Sequence, residues 1–128
     1  MMRILAVMVT SLGLAGAAMA QDACLSDSKD DQAIEGRLAI LDAQDAAGRP
    51  QKPYVLLLSQ PVCLTAEEPD DSVDSSKSIH IFSSDDAVHQ QIAGFVGKAV
   101  QVRGRPFPAH TAHHHAPVVM DITAITAR

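Results

Sequence analysis

Ser78-Ile79-His80-Ile81-Phe82-Ser83-Ser84-Asp85-Asp86-Ala87-Val88 changes its periodicity halfway, and that change sets the architecture. Up to Phe82 the side chains alternate, with Ile79 and Ile81 on one side and His80 and Phe82 on the other, which is the period of a strand. Beyond it the period becomes helical. Ser84 is a natural N-cap, and Asp85 and Asp86 complement the positive end of a helix. Val88, Ile92 and Phe95 recur at four- and three-residue steps, so they share one face. His89 and Gln90 fall on the solvent side, and Gly97 supplies a stop.

Two strands are expected upstream. Ala33 to Leu41 carries Ile34, Leu38 and Ile40 at one parity, and Gly36 within it marks a bulge or sharp bend. Tyr54 to Leu58 is an apolar run short enough for a strand buried on both faces. Pro61 bends or ends it, and Val62-Cys63-Leu64 continues it. Gly48, Pro50 and Pro53 mark the loop between these two strands. Five acids in Glu67 to Asp74, with Pro69, read as a solvated loop, and the run lacks the alternation of a calcium loop.

Two strands are expected downstream. Ala99 to Arg105 places Val100 and Val102 inward, Pro106 and Pro108 open a loop running to about Ala116, and Pro117 to Ile125 is the last strand. Strand, strand, strand, helix, strand, strand is the element order of the OB-fold. The expected fold is mainly β: a five-stranded OB-fold-like Greek-key barrel with one helix between strands 3 and 4. An unrelated β-rich sandwich with one helix is the alternative.

The N-terminus adds an address. Arg3 forms a positive n-region, Ile4 to Leu14 an apolar stretch, and Ala18-Met19-Ala20 a cleavage signal before Gln21. Residues 1–20 therefore read as a signal peptide, 21–32 as an acidic N-terminal tail, and 33–128 as the barrel domain. Gln21-Asp22-Ala23 before Cys24 lacks the apolar residue of a lipidation box. The expected location is the periplasm or the secreted fraction, with no membrane span left after cleavage.

Of 128 residues, 47% are apolar, and the formal net charge is −5. Cleavage takes away Arg3, so the mature chain carries −6. That charge repels phosphate and, with no Trp and one Tyr, argues against nucleic acid as a partner. Cys24 and Cys63 are the only cysteines. In an oxidising compartment an even pair reads as a disulfide, and closing that loop is worth about 4 kcal/mol on the chain-entropy model.

The chemically pointed feature is Ala109-His110-Thr111-Ala112-His113-His114-His115-Ala116, which holds four of the six histidines. Neutral imidazole is a common ligand for zinc, copper and nickel. In an extended segment His113 and His115 project to one side and His114 to the other, while His110 folds back across the loop. His80 is a possible fifth ligand. The competing reading is a Pro-flanked loop whose imidazoles hydrogen-bond within the protein, since H-x2-HHH matches no signature that fixes zinc geometry. Asp121 either orients a histidine or is a solvated strand residue. No G-x-S-x-G elbow is present and the disulfide removes a free thiol, so no enzyme is expected.

The residues that follow carry a family resemblance. They are Cys24-Leu25, Glu35-Gly36-Arg37-Leu38, Pro53-Tyr54-Val55-Leu56-Leu57-Leu58 and Pro61-Val62-Cys63-Leu64. Gly97-Lys98-Ala99-Val100-Gln101-Val102-Arg103-Gly104 and the stretch from Ala109 to Val118 complete the set. Together they make the sequence resemble the DUF4431 domain family of small exported bacterial proteins, over about Cys24 to Ile125. The most specific part is the T-x-H-H-H-x-P-V segment. The resemblance implies fold and export, not an activity.

Two functions are open at this point. One is an exported binding module of unknown ligand, with a transition metal held through His110, His113, His114, His115 and His80. The other is a structural or protein-interaction domain of the cell envelope, with the His loop as a packing element and no metal. The partners expected are a small ligand or an envelope protein.

Overall fold

The computed structural model describes residues 24–128; the expected signal peptide and residues 21–23 lie outside this range. The elements are β1 (Leu25–Ser26), β2 (Gln32–Ile40), β3 (Ala43–Gln44), β4 (Pro50–Gln51), β5 (Tyr54–Thr65) and β6 (Val73–Phe82). They continue with α1 (Asp86–Ile92), β7 (Ala99–Pro108) and β8 (Val118–Ala127).

Five strands close on themselves in the order β5-β2-β7-β8-β6, with β6 returning to β5. β6 and β8 run parallel, with Ile79 opposite Val118 and Phe82 opposite Asp121. The other four junctions of the barrel are antiparallel. This is the expected OB-like barrel, with α1 between its third and fourth strands. The interior is filled by Leu38, Leu56, Ile79, Ile81, Val100, Val102, Met120 and Ile122, all fully buried. The expected alternation gave Leu38, Ile79, Ile81, Val100 and Val102, but Ile40, of the same parity as Leu38, is 42% exposed at the end of β2. Ile92 of α1 is buried with them, and Val88 and Phe95 pack at the edge of the core.

β2 serves two neighbours in turn. Residues Gln32 to Arg37 pair with β7, and Arg37 to Ile40 pair with β5. A Cβ on Gly36 would lie 2.6 Å from the Leu57 carbonyl oxygen, so the turning point accepts no side chain. Gly104 plays the same part between β7 and β8, at the register shift after Arg103. A Cβ there would meet the Asp121 carbonyl oxygen at 2.1 Å.

Several boundaries differ from expectation, each for a tertiary reason. β6 begins at Val73 rather than Ser78, because the second half of β5 supplies partners: Val62 faces Ser76 and Leu64 faces Val73. Pairing overrides the weak strand propensity of Asp74-Ser75-Ser76. β7 runs on through Pro106 and Pro108. Ala109 N–H donates to Pro117 O at 3.0 Å, which by alternation turns the nitrogens of both prolines away from β8, so no ladder bond is lost. The Tyr54–Leu58 run is not buried on both faces: Val55 is covered, but Leu57 is 45% exposed. The N-cap of α1 is Asp85, not Ser84, and its carboxylate accepts from the N–H groups of Ala87 and Val88.

Cys24 and Cys63 form the expected disulfide, with their Cα atoms 4.7 Å apart. It sits beside the short parallel pairing of β1 with the end of β5, where Leu25 faces Leu64. Gln32 fastens the following turn by accepting from Ser26 N–H and donating to the Ser26 and Lys29 carbonyls.

Gly104→Ala is expected to cost about 3 kcal/mol or more in urea unfolding, since only backbone atoms line the space a Cβ needs. Gly94→Ala, with nothing near its Cβ position, is expected to stay within about 0.5 kcal/mol of the parent.

Candidate functional site

The site lies where two loops meet at one end of the barrel. His80 stands between Ile79 and Ile81, which face the core, so its ring lies on the outer surface of β6. Its lateral neighbours are Val55 on β5 and Val119 on β8. Both are outward-facing yet buried, at 1% and 0% exposure. The β7–β8 loop, residues 109–117, lies against His80. The His80 ring centroid is 5.6 Å from that of His115 and 6.1 Å from that of His114. Phe107 extends the cluster, 5.5 Å from His114 and 6.1 Å from Phe82.

The loop is closed at its base by the Ala109–Pro117 bond and turned at its tip by His114 N–H donating to Thr111 O at 3.1 Å. The His114 ring then turns back over the tip. Its Nδ1 accepts from the N–H of His110 at 3.0 Å and of Thr111 at 3.3 Å. His115 N–H donates to His80 Nδ1 at 3.2 Å, tying the loop to β6. An acceptor nitrogen carries no proton, so His80 and His114 are each neutral with the proton on Nε2.

The hairpin formed by β3 and β4 completes the arrangement. Asp45 organises its tip by accepting from Ala47 N–H and Arg49 N–H, each at 2.9 Å, and from Arg49 Nε at 2.7 Å. The Arg49 backbone bond, with the Arg49 side chain and then Ala47 adding to it, holds the Asp45 carboxyl below the usual range against the opposing effect of desolvation. Gln51 bridges hairpin and loop. Its Nε2 donates to His113 Nδ1 at 2.7 Å, and its Oε1 accepts from His115 Nε2 at 2.8 Å.

The structure thus brings His80, His114 and His115 together, places His110 against His114 with ring centroids 4.7 Å apart, and leaves His113 exposed but held by Gln51. The segment is turned rather than extended, so both His114 and His115 approach His80, while His113 and His115 share Gln51 as a partner. What the geometry does not form is a metal cage: among the described residues no group of three His, Cys, Asp or Glu side chains is arranged to hold an ion. At least one ring nitrogen of His80, His113, His114 and His115 already has a protein partner.

Gln51 was missed in the sequence, where nothing separates it from other loop residues. Asp121 orients no histidine; it accepts from Ser84 N–H at 3.0 Å and Ser84 Oγ at 2.8 Å, fixing the chain where it leaves β6 for α1.

Two concavities flank the barrel. A depression of about 490 Å³ lies along the hairpin, lined by Asp42, Ala43, Gln44, Pro50, Gln51 and Lys52. A groove of about 570 Å³ opens between β2 and β5, with Ile34, Leu58 and Val62 among its apolar residues and the Glu35–Arg128 ion pair on its border. It exists because the two strands part beyond Arg37 and Leu57.

These features define a small closed barrel of OB topology whose two loops at one end are joined through histidines. Residues 78–126, from β6 through the His loop to β8, match the family model described as Domain of unknown function (DUF4431). That match supports the resemblance read from the residues, over the stretch from β6 to β8; the quoted motifs from Cys24 to Leu64 lie outside it. No curated protein and no solved structure matches the chain.

Burial sets the charge state of the site. It pushes His80 down from 6.5 to about 4, with His115 and then His114 adding to the effect. His114 is lowered by burial first, then by His110, His113 and His115. The unfolded chain takes up the His80 proton first as pH falls, so stability is whole above about pH 6.5 and is lost toward pH 4. A shift of that size corresponds to about 3 kcal/mol, reduced to about 2 kcal/mol because solvent still reaches part of the ring. His80→Asn, which keeps an acceptor near the Nδ1 position, is expected to flatten stability against pH in thermal melts over that window.

Proposed function

We propose that this protein is an exported, non-catalytic binding module whose ligand face is the barrel end where hairpin and His loop meet. One observation carries the reading: Gln51 joins the β2–β5 loop to the β7–β8 loop over the outer surface of β5 and β6. In OB-folds those two loops and that surface are where ligands bind. The imidazoles act as packing and hydrogen-bonding elements of the face. Their engaged ring nitrogens support a site that works without zinc, copper or nickel. The signal-like first twenty residues support export to the periplasm or beyond.

A second reading, an interaction domain of the cell envelope, is favoured by the β2–β5 groove. N–H groups alternate sides along β2: Leu38 donates toward β7, to Lys98 O, and Leu41 toward β5, to Pro53 O. By that alternation Ala33 and Glu35 turn their N–H groups into the groove, where an extended polypeptide of a partner could pair with them.

An NMR fragment screen on ¹⁵N-labelled protein separates the two, with neutral oligosaccharides, short Val/Thr-rich peptides and zinc chloride as probes. The first reading expects hits that shift Gln51, His80 and residues 109–117. Hits confined to Ala33–Gly36 and Ser59–Cys63 overturn it in favour of the second. Zinc binding at one equivalent, abolished by His113→Ala with His115→Ala, overturns the metal-free description of the face.

A further inference from the structure

Of the bonds that hold the loop in place, three need an uncharged imidazole; a fourth, from His115 Nε2 to Gln51 Oε1, survives protonation. Nδ1 of His80, of His113 and of His114 each accepts a hydrogen bond from an N–H group. Those three bonds fasten the loop to β6, to the hairpin and to its own tip. A proton on any of these nitrogens turns an acceptor into a donor facing another donor, which forbids the bond. Resting on the location of the ligand face proposed above, we propose that the β7–β8 loop is a proton-released latch, closed over the outer surface of β5, β6 and β8 at neutral pH and opened by acidification.

The surroundings offer little to offset the new charge. His80 faces His114 and His115 from the loop, its lateral neighbours Val55 and Val119 are apolar, and Phe82 lies farther along its own strand. His114 faces His110, His80 and Phe107. His113 faces Gln51 and lies within electrostatic reach of Asp45. That carboxylate is already engaged by Arg49. The hairpin's other charges, Asp42 and Lys52, pair with each other at 4.0 Å. Protonation of the cluster therefore places cations beside one another across ring separations of 4.7 to 6.1 Å.

Opening need not unfold the protein. The latch bonds lie outside the barrel ladder, and the core beneath is sealed by Ile79, Ile81, Val118 and Met120. Release would uncover the His80 ring and the side of Phe107 against which His110 and His114 now lie, next to the apolar Val55 and Val119.

The test is an NMR titration of ¹⁵N-labelled protein from pH 7.5 to 4.5. The amides of His110, Thr111 and His115 and the side-chain amide of Gln51 are expected to shift together with one midpoint between pH 4 and 6.5. Their exchange protection, corrected for pH, is expected to fall about tenfold or more, while Val100 and Val102 keep theirs. His80→Asn is expected to move the midpoint to lower pH. Loop amides that stay fixed to pH 4.5, or that change only when Val100 and Val102 lose protection, overturn the latch. The wild-type titration decides alone if His80→Asn misfolds. Fragments that bind elsewhere on a protein whose loop still opens overturn the ligand face and leave the latch standing.

Discussion

The barrel closes because one strand changes partners partway along. β2 leaves β7 and takes up β5 within a single residue, at Arg37, and Gly36 is where the crossing backbones come closest. With a side chain there, the Leu57 carbonyl and the Leu56 side chain would have to move. The same handover opens the groove: once β2 is committed to β7, its other edge has no strand beside it from Gln32 to Gly36. Closure, the depth of the core and the one gap in the wall are three results of one backbone constraint.

Closure also fixes what the histidines can do. A five-stranded barrel of this size fills its interior with side chains, so polar groups from the strands must face out. His80 faces out but is then roofed by a loop rich in its own residue type. The result is a polar layer on an apolar strip, in which imidazoles serve as backbone acceptors. A metal site needs free lone pairs converging on a point. Here the Nδ1 lone pairs of His80, His113 and His114 diverge toward separate N–H donors.

The order of elements was legible because the core is aliphatic and strictly periodic. Val100 and Val102, Ile79 and Ile81, and Val88, Ile92 and Phe95 each announce a period that tertiary contacts do not overrule. Boundaries were less legible. Asp74-Ser75-Ser76 becomes strand only because β5 is long enough to reach it, and Pro106 is tolerated only because β2 has no partner to offer there. Within the site, the gathering of four histidines in one loop followed from the sequence. Gln51 did not, because its role depends on a hairpin folding back across more than sixty residues of chain. Ser84 carried a correct signal for a helix start, but Asp121 recruits its hydroxyl from the far strand and the next residue takes the cap.

The parallel pairing of β6 with β8 has a consequence in time. The strand that seals the wall is also the last of the described strands to be made, and Ala127 is still in the ladder, opposite Val100. No shorter N-terminal piece can complete the barrel. A chain emerging from a ribosome therefore passes through an interval in which β6 and β7 each expose an unpaired edge. The loop that carries the histidines is the last to be laid down before the sealing strand arrives.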